Sequence, residues 1–391
     1  MNLHRLVGLF LQRLVRLVLA MILVGVGTGV AAAQTLTLTP SLAISESYDD
    51  NIRFSSTNRQ SDFVTGLSPG LRLELKDYPW SLALGGSLGG EVYAEHTELD
   101  NIGDNAEGSA TAEYRPTPIF SLSLGDSIVR SVNAGLVDPQ SGLITGRFTS
   151  TSNAVTPAAN YQFNPRTSGR VQYSFRTLRS DSALARDSDT HEAGLSFQRQ
   201  LTPRTSGTLS YTFTRFQIEG SPERDSHSPR IGTIFTYSPT IRFSSDTGLL
   251  FLEREDGSEE ATVATSTRYE QTFRQGQFSL SYDRNASVAG VIGVPSVSQT
   301  LGAAVTYQPA RDLGLGLQVG VTDTESSGPS RTRVDFLASS AALRINYRLL
   351  RWLSIEGSYR YQRQDDRRGP LDLERNVFSL GLTASDQFRV H

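Results

Sequence analysis

Groups able to move protons, hold metals or grip charge are plentiful in this chain of 391 residues, yet few are spaced for covalent chemistry. The five histidines, His4, His96, His191, His227 and His391, lie far apart. No HxxxH or HExxH joins them, so zinc ligation from one helix face is not spelled out. Cysteine is absent, which removes thiol nucleophiles, disulfides and thiolate ligands. Serine is too abundant for a Ser–His pair to stand out. The acidic runs Tyr48-Asp49-Asp50-Asn51 and Asp365-Asp366 offer oxygen ligands to a hard cation, but their spacing is not that of an EF-hand loop. They read as solvated loop ends. No catalytic residue, metal or cofactor is expected, and the chain is read as a non-enzyme.

What recurs instead is charge on one face of alternating segments. Arg72, Arg170, Arg176, Arg242, Arg268, Arg344 and Arg360 share that face with Glu74, Glu91, Glu192, Asp246, Asp283 and Glu356. Guanidinium groups suit bidentate binding of carboxylates or phosphates. Both signs in similar number predict either a paired network that stiffens a wall or a weakly selective polar path. Lys76 is the sole lysine.

The elements that position these groups are strands. Apolar and polar residues alternate with a period of two. Leu209, Tyr211 and Phe213 oppose Ser210, Thr212 and Thr214; Leu313, Leu315, Leu317, Val319 and Val321 oppose Gly314, Gly316, Gln318, Gly320 and Thr322. The polar face is small and hydroxylated, unlike a packed core. It is therefore assigned to a wet lumen, with the apolar face turned to lipid. An aromatic and a proline close segments at Pro79, Pro116, Pro165, Pro203, Pro239 and Pro309. Tyrosines at segment ends (Tyr78, Tyr114, Tyr161, Tyr237, Tyr307 and Tyr347) fit an interfacial girdle.

Eight tight turns, near residues 77, 117, 165, 202, 239, 274, 310 and 350, alternate with nine longer polar stretches. These stretches include 96–108, 179–190, 219–230 and 363–375. The expected fold is all-β: a transmembrane antiparallel up-and-down barrel of about eighteen strands (roughly 16 to 20) over residues 34–391. Short turns would face the periplasm. A β-propeller is the main soluble alternative, but no Trp-Asp or Gly-His signature recurs. The end of the chain resembles a closing strand, with Phe378, Leu380, Leu382, Ala384 and Phe388 on one face. Asp386 interrupts a position that is normally apolar.

Residues 1–33 read as a secretory signal peptide. Arg5, Arg13 and Arg16 precede an apolar run over 17–26, and Ala31-Ala32-Ala33 offers a cleavage site. Mean hydropathy is −0.28, and only strands, in which every second residue meets lipid, reconcile that with a membrane. A net charge of −3 gives no pull toward nucleic acid.

The stretch SESYDDNIRF (residues 45–54), with Tyr48, Asp49, Asp50, Asn51 and Ile52 at the end of the first strand, resembles the β-barrel porin type 2 family. The resemblance is sharpest over 40–75. It implies an outer-membrane conduit for an exopolysaccharide or capsule-type polymer, with the secreted polysaccharide and periplasmic or inner-membrane export components as partners beside outer-membrane lipid. It brings no catalytic residues. The residues alone leave two alternatives, a general diffusion porin and an adhesive or structural surface protein. The expected lumen lining is Arg72, Glu74, Glu91, Arg170, Arg176, Arg242, Asp246, Arg268, Asp283, Arg344, Glu356 and Arg360.

Overall fold

The computed structural model describes residues 35–132, 147–181, 186–253, 258–289, 294–326, 335–367 and 372–390. Residues 1–33, read from the sequence as a signal peptide, lie outside them. The alternating segments form β1 (Thr35–Asp49), β2 (Asp62–Asp77), β3 (Trp80–Tyr93), β4 (Asn101–Thr117), β5 (Phe120–Ser131) and β6 (Ser150–Asn164). They continue as β7 (Thr167–Ser180), β8 (Ser188–Thr202), β9 (Thr205–Ile218), β10 (Arg224–Ser238), β11 (Ile241–Glu253) and β12 (Glu259–Phe273). The last third holds β13 (Gly276–Ala289), β14 (Val294–Ala310), β15 (Leu313–Ser326), β16 (Asp335–Leu350), β17 (Leu353–Asp366) and β18 (Asp372–Ser385), followed by a short β19 (Phe388–Val390). Every neighbour pairs antiparallel, and β1 pairs with both β2 and β18, so the sheet closes on itself. Closure leaves no free edge, the condition for strands to cross hydrocarbon.

The barrel has eighteen staves, because β18 and β19 are one stave with a break. β18 pairs with Ser41–Asp49 and β19 with Leu36–Leu38 of the same strand. The break falls at Asp386, whose carboxylate accepts the Gln387 amide at 2.9 Å. Phe388 then returns opposite Leu38. A polar residue in the closing strand is thus accommodated by leaving the ladder for two residues.

Residues paired across strands share a face. Followed round the barrel, one face carries Leu42, Ile44, Leu67, Leu71, Val171, Leu195, Leu209, Leu317, Ile345 and Leu380, all exposed. The other carries Ser, Thr, Gly and the charges. That second face is concave. Thr208 of β9 donates to Asp246 of β11 at 2.8 Å, across Gly232 of β10, and Arg230 of β10 reaches Asn285 of β13 at 2.6 Å. Bonds that skip strands require an inner surface. Large apolar side chains on the convex face of a closed barrel are what a lipid environment selects.

All eight tight turns are two-residue links, from Tyr78-Pro79 to Arg351-Trp352. Both ends of the described chain sit at this end, since β19 meets the start of β1. A lower girdle lies beside the turns, with Trp80 stacked on Tyr114 (4.0 Å) and Tyr161 edge-on to Phe163 (4.9 Å). The strands run 12 to 17 residues, longer than the ~9–11 needed to cross. Several stretches expected as loops are therefore wall: 101–108 belongs to β4, 224–230 to β10, and Asp365-Asp366 to β17. Polarity there marks a wall that rises beyond the apolar band, not a loss of strand.

Candidate functional site in the barrel interior

The inner face is positioned by the register. Arg72 and Glu74 lie on β2, opposite Gly85 and Ala83. Glu91 lies on β3, Arg170 and Arg176 on β7, Glu192 on β8, Arg242 and Asp246 on β11, and Arg268 on β12. Asp283 lies on β13, Arg344 on β16, and Glu356 and Arg360 on β17. Register and exposure put all of them on the face opposite the apolar one. Part of the set is paired: Arg72–Glu74 at 2.8 Å, Arg344–Glu356 at 3.1 Å and Arg268–Glu270 at 3.8 Å. Glu91 accepts from Asn101 at 3.2 Å, and Asp283 from Ser266. Arg170, Arg176, Arg242 and Arg360 have no ion pair among the described residues.

The interior is graded along its axis. Toward the turns, the wall is Ser, Thr, Gly, Ala and solvated charge. Toward the loops, inward side chains are enclosed: Val64, Tyr93, Phe216, Ile218, Leu250, Leu252, Phe336 and Gln362 are buried, and Arg224 is 1 % exposed, with Val64 and Tyr93 in one apolar cluster and Phe216 and Ile218 in another. Tyr93, Phe216 and Phe336 are the aromatic residues on the inner face of the described strands, and all stand at this end. Sequence alternation alone does not reveal this grading, since it records which face a residue takes and not how enclosed that residue is.

The Tyr48–Ile52 stretch is a clasp at the external end of the β1–β18 seam. Tyr48 faces outward against Phe63 (5.2 Å). Asp49 turns inward and holds the Arg375 guanidinium with both oxygens, Nε lying at 3.1 and 3.0 Å. Asp50 accepts the Asn376 backbone amide at 2.6 Å and its side-chain amide at 2.7 Å. Asn51, fully buried, donates to the carbonyls of Ser55 (2.9 Å) and Glu374 (2.8 Å). Ile52 inserts into a cluster with Val64, Tyr93 and Leu99. The carboxylates read from sequence as solvated are thus spent on protein partners.

The same corner is held by Asp62, on the external side of the girdle and outside the membrane-spanning band. Its carboxylate accepts the amides of Phe63, Glu95 and His96 and bonds the His96 ring at 2.9 Å. Burial alone raises its pKa, but these hydrogen bonds outweigh burial and hold it below the usual carboxylate value. Arg147 completes the corner, donating to the Tyr93 hydroxyl and the Leu99 carbonyl, each at 2.6 Å.

His191 and His227 sit inside strands and face outward. Each bonds a tyrosine diagonally across the hairpin: Tyr173 at 2.7 Å and Tyr211 at 2.6 Å. Tyr282 to Gln299 (3.1 Å) and Tyr359 to Asn376 (2.8 Å) repeat the geometry. Together they form an upper girdle, amphipathic groups at the lipid boundary, and not a catalytic set. In three of the four, the signal in sequence is Tyr-x-aromatic before a loop with His or Asn after it; Tyr282-x-Arg284 with Gln299 departs from it. The chain also contains Gly85-x-Ser87-x-Gly89, but it lies mid-strand in β3 with Ser87 opposite Gly70 and Glu107, so no nucleophile elbow is formed. Asp323, Glu325 and Asp335 converge on the outer rim, where Arg367 lies 3.1 to 3.8 Å from all three and offsets part of their charge.

No protein-family model matches this chain, and no curated protein does. Solved structures to which it is similar include Acinetobacter baumannii OccAB4 (12 % identity, covering 91 % of this chain and 99 % of that one, TM-score 0.46) and OccAB3 (11 %, 90 % and 99 %, 0.49). The outer membrane protein OpdK from Pseudomonas aeruginosa is another (11 %, 90 % and 99 %, 0.47). All lie below a TM-score of 0.5.

Proposed function

We propose that this outer-membrane barrel is a passive diffusion channel for small hydrophilic solutes, restricted at its external mouth. The carrying observation is the graded interior. A wall of hydroxyls, glycines and solvated charge runs up from the periplasmic turns and meets a level at which inward apolar side chains on β3, β9, β11 and β16, Tyr93, Phe216, Leu252 and Phe336, are buried; this level is the collar of the present reading. Such a wall exchanges hydrogen bonds with hydrated solutes without holding them, and the collar sets size. The refolded chain in a planar bilayer should give small ohmic steps with weak ion selectivity. Vesicles should admit monosaccharides and exclude large dextrans. Fully folded barrels that pass neither ions nor sugars would end this reading.

The resemblance at residues 45–54 supports a second reading, export of a polysaccharide with periplasmic and inner-membrane partners. A collar that opens on demand suits that role. Against it, no aromatic lines the turnward inner wall of the described strands, where sugar rings would stack during passage. Deleting the gene should then trap polymer in the periplasm; normal surface polysaccharide in the mutant would dismiss export.

A further inference from the structure

We infer that the turn end of β6–β9, on its lipid-facing side, docks anionic phospholipid headgroups of the inner leaflet through Arg166, Arg199 and Arg204. The inference is independent of what passes through the lumen. It starts from a repeat: Pro165-Arg166-Thr167-Ser168-Gly169 recurs as Pro203-Arg204-Thr205-Ser206-Gly207, one hairpin later. The two turns are built alike. Asn164 Oδ1 accepts the Arg166 amide at 3.0 Å, and Thr202 Oγ1 accepts the Arg204 amide at 3.2 Å. The carbonyl of each arginine accepts an amide from the following strand, that of Gln200 or Thr236, both at 2.8 Å. Gly169 pairs with Phe197, and Gly207 with Arg199, on the outward face. Each glycine leaves space that a side chain from before the turn covers: a Cβ on Gly169 would come within 2.9 Å of the Phe163 ring, and one on Gly207 within 3.4 Å of Leu201.

Tyr161, Phe163, Phe197 and Leu201 are exposed and form an apolar shelf at the turn end of the outer surface. Such a shelf marks the hydrocarbon boundary, and headgroups lie just beyond it. Arg199 stands between the two repeats, paired with Thr167 on one side and Gly207 on the other. Arg166, Arg199 and Arg204 are exposed and have no ion pair among the described residues. Residues 151–180 and 193–218 contain no Asp or Glu, whereas Arg115, beside the preceding turn, is held by Glu113 at 2.6 Å. The fold does not require arginine at the turn. Between β10 and β11 the same turn is made by Pro239-Thr240: Ser238 Oγ accepts the Thr240 amide at 3.3 Å, and the Thr240 carbonyl accepts the Thr272 amide at 2.7 Å. An arginine at the edge of the shelf lays its apolar stem on the rings and offers a phosphodiester two parallel N–H bonds. Two-residue turns project little beyond the bilayer, so the partner that this edge meets is the lipid itself and not a periplasmic protein.

Native mass spectrometry of the folded full-length barrel in neutral detergent tests this, with titration by dioleoyl phosphatidylglycerol or dioleoyl phosphatidylcholine. Phosphatidylglycerol should bind in preference, and the preference should fall as salt rises. Arg166→Gln, Arg199→Gln and Arg204→Gln should each weaken phosphatidylglycerol binding about fivefold. Arg59→Gln, at the external end, should leave it unchanged. Thr240→Arg, which puts an arginine in the third turn of this build, should strengthen it. Heat-modifiable gel migration verifies folding of each variant. Should a turn variant misfold, Arg199→Gln decides, since it lies within a strand. Equal retention of the two lipids, or a preference that survives Arg199→Gln and the double variant Arg166→Gln/Arg204→Gln, overturns the inference. Arginine-dependent sedimentation with purified peptidoglycan, without lipid preference, would assign the rim to cell-wall carboxylates and overturn it equally.

Discussion

Asp49 and Arg375 are side chains 5 % and 12 % exposed that join the first and last staves. Removing one member of so enclosed a pair strands the other charge, a loss of about 3–5 kcal/mol. Asp49→Ala should lower the unfolding free energy extrapolated from urea titration by that amount, and a value within error of wild type would show the seam is held elsewhere. Asp62 adds a pH-dependent element. Its folded pKa lies below the ordinary 3.8, so its contribution is fully present above that value and is lost as pH falls through the folded pKa. The difference in thermal midpoint between wild type and Asp62→Asn should therefore be constant from pH 7 to pH 5 and shrink below 3.8. A difference that grows on acidification would reverse the assignment. The sequence marked Tyr48–Ile52 as a distinctive stretch, but its partners Arg375, Asn376 and Glu374 are more than 300 residues away, and only barrel closure brings them together.

At the scale of strands, the alternation of faces was legible throughout, because period two is a local property of extended chain. The eight tight turns were legible for a similar reason: proline and polar residues punctuate at short range. Strand ends were less so. Polar residues in 101–108 and 224–230 look like loop, yet they continue the ladder, since a hydrogen-bonded wall outside lipid has no need of an apolar face. Glycines show the same limit. At Gly248 a Cβ would collide with the Pro229 carbonyl and the Arg230 backbone, and the β10–β11 ladder omits Ser228 and Pro229 at that point. Gly248→Ala should reduce the fraction that reaches the compact, heat-modifiable form, whereas Gly314→Ala, with open space around it, should fold as wild type does. Equal folding of both variants would mean the close approach of β10 to β11 is dispensable.

For the molecule as a whole, the outer surface is uneven. Much of it is leucine, valine and aromatic, but β4 presents Ala106, Gly108, Ala110 and Ala112 outward. Beside them on β5, Asp126 takes an outward place between Leu124 and Ile128, bonded by Asn153 at 2.9 Å. A carboxylate on the lipid face costs stability, less than a cation does. Asp126→Asn keeps the bond to Asn153 and removes the charge. It should raise stability in phosphatidylcholine vesicles by roughly 1 kcal/mol; no gain on urea unfolding would place that carboxylate out of contact with hydrocarbon.

Strand number, the alternation of lumen and lipid faces and the turn positions follow from residue order, because each depends on neighbours within one hairpin. The external collar, the seam clasp, the pairing of some inner arginines and the isolation of others do not. They depend on which strands face one another across an enclosed space, and that is set by closure of eighteen staves and by their shared register, quantities to which every hairpin contributes and which no single segment encodes.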